Sequence, residues 1–224
     1  MDTMRKSTIA LALFLVSIPV IRAQDLSKYR AFSLGASLTT IAQQVNGKPE
    51  DASVIHQSPA VIQDLIWWPI EAERTTGVPD AVQQIRFSFC NRKLYSIAAT
   101  YEGTATRGMT DDDMVKALST TYGTATRPPA EAGVAPSVSY GPADVRVALW
   151  ENAQYSVTLS RSPMSDSFHL TLSSKQLKGE ADAAIAAAVK QETAGAAGED
   201  IARQKKDAAD LESERQANLK AFRP

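Results

Sequence analysis

The chain has 224 residues, with 24 Lys or Arg against 25 Asp or Glu and a single cysteine. A net charge of −1 offers no basic face for nucleic acid, whose recognition rests on a strongly positive surface. The one thiol, Cys90, excludes an intramolecular disulfide, so the fold must hold by packing alone.

Residues 1–23 read as a secretory signal. Arg5 and Lys6 form a short positive start, Ser7 to Ile21 run almost without charge, and Ala23 supplies the small residue for cleavage. The apolar run is shorter than the ~20 residues a membrane span needs, and Pro19 near its end suits a signal better than a span. Cleavage is expected after Ala23, which makes the product periplasmic or secreted; the alternative is an uncleaved N-terminal anchor. No cysteine stands near the cut to accept a lipid, and no later apolar run reaches spanning length.

From Gln24 onward the pattern is α+β, arranged as two helix-plus-antiparallel-sheet units, 24–106 and 107–174. Gly35-Ala36-Ser37 opens the first helix and Gly108-Met109-Thr110 the second. Ser37 and Thr110 are good N-caps, because each hydroxyl can accept from an orphan helix N–H. Ile41, Ala42 and Val45 correspond to Met114, Val115 and Leu118, in each case one helix face. Asn46-Gly47 and Gly123 stop the two helices.

Strands are expected after the first helix at 53–56, 61–68, 82–89 and 94–101, and after the second at 138–140, 145–149, 155–159 and 168–172. Cys90-Asn91-Arg92-Lys93 reads as a hairpin turn, with Glu151-Asn152-Ala153-Gln154 as its match in the second unit. Residues 69–80 and 124–136 carry the loop composition. From Lys175 the chain turns Ala-rich and charged, a helical extension over 175–224. Gly195 and Gly198 are expected to break it into helices near 176–193 and 199–222.

The run Arg107-Gly108-Met109-Thr110-Asp111-Asp112-Asp113-Met114-Val115-Lys116-Ala117-Leu118, ending at Tyr122-Gly123, resembles the Gly-Met-Thr helix of exported proteins of the SmpA/BamE kind. Two such modules in tandem also look like the β-lactamase-inhibitor-protein architecture. The resemblance implies compact envelope modules that bind proteins and do not catalyse. This chain departs from the outer-membrane members in lacking a lipid-accepting cysteine at its cleavage site, so lipid anchoring is not carried over.

The candidate chemistry is sparse. Asp111, Asp112 and Asp113 are consecutive, and helix geometry points them apart; carboxylates at a helix start complement its dipole, whereas a Ca²⁺ site needs converging oxygens. His56 and His169 are the two histidines, both on expected strands and without the spacing of a zinc site. His169 alternates with Phe168 and Leu170 and so is expected to face solvent. Phosphate-binding glycine loops and a Gly-x-Ser-x-Gly elbow are absent from the sequence. No cofactor and no metal are therefore expected. Cys90 reads as a small packed residue.

Trp67-Trp68 is more informative, because neighbours on a strand point to opposite faces. One tryptophan should enter the core; the other is either covered by a helix or a second sheet layer, as large aromatics mostly are, or stays exposed as an aromatic anchor for a partner. Trp150, at a strand end, is expected to join that surface. In the C-terminal extension, Ile201, Ala208, Leu211, Arg215, Leu219 and Phe222 form a loose apolar seam interrupted by a charge. The function expected is non-catalytic binding of an envelope protein or wall component. An extracytoplasmic hydrolase using His56 or His169, and an inhibitor of a secreted enzyme, are the alternatives.

Overall fold

The structure is a computed structural model and describes residues 24–69, 80–127, 144–165 and 167–221. The expected signal, the expected strand at 138–140 and most of both loop segments lie outside the described residues.

The first described segment forms a small hairpin, β1 (Lys28–Tyr29) against β2 (Phe32–Ser33). Helix α1 (Leu38–Gln44) follows, and Ser37 caps it as its sequence suggests: the Ser37 hydroxyl accepts from the Thr40 N–H at 3.1 Å. Strands β3 (Ser53–His56), β4 (Ile62–Trp67), β5 (Val82–Cys90) and β6 (Lys93–Tyr101) come next, then helix α2 (Asp111–Tyr122). Strands β7 (Val145–Glu151), β8 (Tyr155–Arg161) and β9 (Phe168–Ser174) lead directly into α3 (Lys175–Ala221). The class is α+β.

The two expected units do not form separate sheets. One seven-stranded antiparallel sheet runs in the order β3-β4-β5-β6-β9-β8-β7, so the last strand of each half meets the other at the centre. Ile97 pairs with Leu172 and Ala99 with Leu170. Ile97 and Leu170 are 73 positions apart, as are Ala99 and Leu172 and as are the two N-caps, Ser37 and Thr110. Exchanging the halves therefore maps the central pairing onto itself, an approximate twofold axis through the sheet.

That relation corrects the matching of the hairpins. The Asn91-Arg92 turn joins β5 to β6, the central strand of its half. Its counterpart is the longer connection from β8 to β9, while the short turn at 152–154 joins β7 to β8. Loop length, which is what turn residues report, is not topological position.

One face of the sheet is the core. Ile85, Phe87 and Phe89 on β5, Ile97 and Ala99 on β6, Leu170 and Leu172 on β9, and Val157 and Leu159 on β8 are buried there. Leu38, Ile41 and Ala42 of α1 and Met114 and Val115 of α2 belong to the same cluster. The period-2 alternation of the strands meets the amphipathic stripes of two helices, and apolar burial at about 25 cal/mol per Å² drives the assembly.

Helix α3 is one element of 47 residues, against the expected break at Gly195 and Gly198. An interior glycine costs about 1 kcal/mol relative to alanine. Here the surrounding helix is rich in Ala, Glu, Lys and Gln, good helix formers, and no proline stands near either glycine to stop it. Ion pairs one turn apart, such as Lys178 with Asp182 at 2.6 Å and Glu212 with Arg215 at 2.7 Å, add small increments. Among the described residues no helix is long and apolar enough to cross a membrane.

Candidate functional site

The strand register fixes what the second face of the sheet presents. A middle row crosses six strands as Ile66, Arg86, Ala98, Thr171, Thr158 and Leu149. Beside it runs Asp64, Ser88, Ser96, Ser173, Ser156 and Glu151, four serines between two carboxylates. On the other side stand Gln84, Thr100, His169, Ser160 and Arg146. Small and hydroxylated residues dominate these rows.

The first turns of α3 cover one end of this face. Ala181, with Leu177, Ala184 and Ile185 around it, packs on Ile62, Cys90 and Tyr95 in a second, smaller apolar cluster. Ala188 is the last buried residue of the helix; from Val189 to Ala221 every described side chain is exposed. Near that crossing the His56 Nδ1 lies 3.2 Å from the Glu192 Oε1, tying the edge strand β3 to the helix as it leaves the body. Cys90 is buried in this cluster, and burial pushes its thiol pKa up, against the thiolate that reactivity needs.

The tryptophans separate. Trp67 turns inward and meets the Phe32 ring edge-on at 5.7 Å between centroids. Ile66, its neighbour on the strand, is 45% exposed, and Trp68, just past the strand end, is also 45% exposed. Trp150 is 1% exposed, a core residue. Its indole N–H donates to the Gly123 carbonyl at 2.8 Å, which satisfies the one polar atom of the ring in the interior. The expectation that Trp150 joins the exposed surface is thus corrected: its position at a strand end is legible, but the cover supplied by the end of α2 is not.

His169 is on the open face, opposite Phe168 and Leu170 as read, yet it is not free in solvent: its side chain is 28% exposed. The Thr100 hydroxyl lies 3.2 Å from Nδ1 and the Ser167 hydroxyl 3.3 Å from Nε2. The Asp144 carboxylate is 3.8 Å from the same Nε2. A nucleophile–base–acid relay places acid and hydroxyl on opposite ring nitrogens; Ser167, which is buried, shares Nε2 with Asp144, and the hydroxyl opposite that acid is the half-buried Thr100 on Nδ1. Desolvation by burial lowers the imidazole pKa, with Asp144 acting in the opposite sense.

The acidic triplet starts α2 as its position suggests. Asp113 accepts from the Thr110 N–H at 2.9 Å while Thr110 accepts from the Asp113 N–H at 3.2 Å, a reciprocal capping box. The backbone bond from Thr110 draws the Asp113 pKa down. Asp111 pairs with Arg161 at 3.2 Å and Asp112 with Arg127 at 2.7 Å, so the three carboxylates diverge. Among the described residues no three His, Cys, Asp or Glu side chains converge to hold a metal ion.

Sequence reasoning missed the serine row and the rest of the open face, because register between distant strands is not written locally. The only available signal was the polar alternate of each strand: Ser88, Ser96 and Ser156 each lie between apolar or aromatic neighbours, and Ser173 follows Leu172. No family model matches the chain, and no curated protein or solved structure shows significant similarity to it.

Proposed function

We propose that this chain is an exported, non-catalytic binding protein of the bacterial envelope, and that the open face of its sheet receives an envelope protein or wall component. The observation that carries the reading is the asymmetry of the sheet. Among the described residues, one face is sealed by α1 and α2, whereas the other is covered only by the first turns of α3. The uncovered part holds a half-exposed isoleucine beside an exposed arginine, Ile66 next to Arg86, with Trp68 following. Large aromatic and aliphatic anchors among small polar residues are the composition of an interface centre. The resemblance of the α2 start to SmpA/BamE-like modules and the signal-like segment at 1–23 support the same reading.

The test compares the wild-type mature protein with an Ile66→Ser, Trp68→Ser variant on purified cell-wall sacculi and on solubilised envelope protein. Both substitutions fall on exposed side chains, so the fold should survive, as circular dichroism will report. Retention by the wild type and at least tenfold weaker retention by the variant is expected. Equal retention of both, or retention of neither, removes the sheet face as the binding site.

A further inference from the structure

The first described residue, Gln24, does not trail away from the body. Its side chain folds over Gly123, the residue that ends α2, so closely that a Cβ at position 123 would stand 1.6 Å from the Gln24 Oε1. The chain after it is fixed at once. Leu26 is buried, its N–H donates to the Gln24 carbonyl at 3.2 Å, and Asp25 accepts from the Ser27 N–H at 3.0 Å. Gln24 also borders a recess of about 290 Å³, together with Leu26, Tyr122, Trp150 and Glu151. The nearby carboxylates are already engaged: Glu151 holds the Lys175 ammonium at 2.7 Å and Asp25 the Lys28 ammonium at 3.3 Å. A new positive charge at residue 24 therefore meets acids that have their partners.

We propose that Gln24 becomes the amino terminus of the mature protein and closes on itself to pyroglutamate, the ring seated over Gly123 where the glutamine amide now lies. The proposal rests on the export reading, specifically on cleavage after Ala23. Peptide-bond hydrolysis there frees the Gln24 α-amine, a group with an ordinary pKa of about 7.7–8.0 and so partly neutral near neutral pH. The neutral nitrogen attacks the side-chain carbonyl carbon Cδ, forming an N–Cδ bond and a five-membered ring. The Cδ–Nε2 bond breaks and the nitrogen departs as ammonia, taking the proton that the amine loses. Nothing is oxidised or reduced, and no co-reactant is required. The product has neither the terminal ammonium nor the free carboxamide, which changes the charge and hydrogen-bonding capacity of the terminus.

The experiment expresses the full chain in a secreting bacterial host, isolates the exported protein, and reads its N-terminal peptide by mass spectrometry and by amine labelling. The expected peptide begins at position 24, is lighter than encoded by one ammonia, resists amine labelling, and gains a free amine after treatment with a pyroglutamyl aminopeptidase. A peptide that begins at Gln24 with a free, labelled amine overturns ring closure while leaving the cleavage site standing. A chain that begins at any other residue, or that keeps residues 1–23, overturns both. Gln24→Ala retains a small residue after the cut and should give a free amine with no mass deficit. An ammonia deficit that persists in that variant lies elsewhere in the chain and also overturns the proposal.

Discussion

Gly35 and Gly108 stand 73 positions apart and share one backbone conformation, φ +84° and φ +80°. Each precedes an N-cap by two residues, Ser37 and Thr110, so the same left-handed step brings the chain into α1 and into α2. No atom lies within 4 Å of where a Cβ would stand at either glycine. Substitution therefore tests backbone strain without a clash. Gly35→Ala and Gly108→Ala should each cost about 1–2 kcal/mol, the penalty of a left-handed L-residue, measured by denaturant unfolding with an unchanged m-value.

Trp150 separates hydrogen bonding from packing. Its N–H reaches the Gly123 carbonyl, and its ring is fully enclosed. Trp150→Phe keeps most of the apolar area but leaves that carbonyl without its donor, at about 1–3 kcal/mol. Trp150→Ala adds a cavity and should cost about 3–5 kcal/mol. Thermal unfolding of the two variants side by side should show that order; a larger loss for Phe than for Ala would refute the packing account.

His169 gives the protein a pH-dependent stability with a defined sign. Burial depresses its pKa in the folded state below the ordinary 6.5. The unfolded chain takes up the proton first as pH falls. The contribution is thus fully present above about pH 6.5 and is lost as pH drops through the folded value. Unfolding free energies between pH 7.5 and pH 5 should fall for the wild type, and the fall should be smaller for His169→Gln.

Cys90 should be slow to modify. It is buried beneath the first turns of α3, with its thiol pKa raised. A thiol reagent at pH 8 should label the native protein at least tenfold more slowly than the urea-unfolded chain, since only the exposed thiolate reacts. Ala181→Asp, which sets a charge into the same cluster, should undock the start of α3 and bring the native rate close to the unfolded one.

Residues 194–224 should be dispensable for the body. The described side chains of α3 beyond Ala188 are exposed, and the final link to the sheet is His56 with Glu192. A chain ending at Thr193 should keep its unfolding free energy within about 0.5 kcal/mol, the range of surface changes. Its far-UV helical signal should drop by the share of α3 removed.

How far the residues announce this structure depends on the range of the interaction. Caps are local, and Ser37, Thr110 and the stop at Gly123 are legible with no knowledge of the fold. The alternation Ile85, Phe87, Phe89 identifies both a strand and the side it buries, and Trp67 against Trp68 follows the same rule. Gly195 and Gly198 mislead, because a helix among good formers outlasts a glycine that a short loop would exploit. The neighbours of His169 come from β6, from the residue before β7 and from the residue before β9, so no short window around position 169 contains Thr100 or Asp144. The open face itself is a product of register, which only the completed sheet defines.

The central joint carries a consequence for assembly. Ile97 finds Leu172 only after the intervening chain has closed a long loop, whereas every other neighbouring strand pair in the sheet is consecutive in sequence. Such distant contacts form late, after the local meanders. Each half, taken alone, would end in a raw strand whose open hydrogen-bonding groups fit a second copy of the same strand about the axis. A fragment covering 24–106 would thus be driven to dimerise through β6, rebuilding between two molecules the seam that the intact protein closes within one.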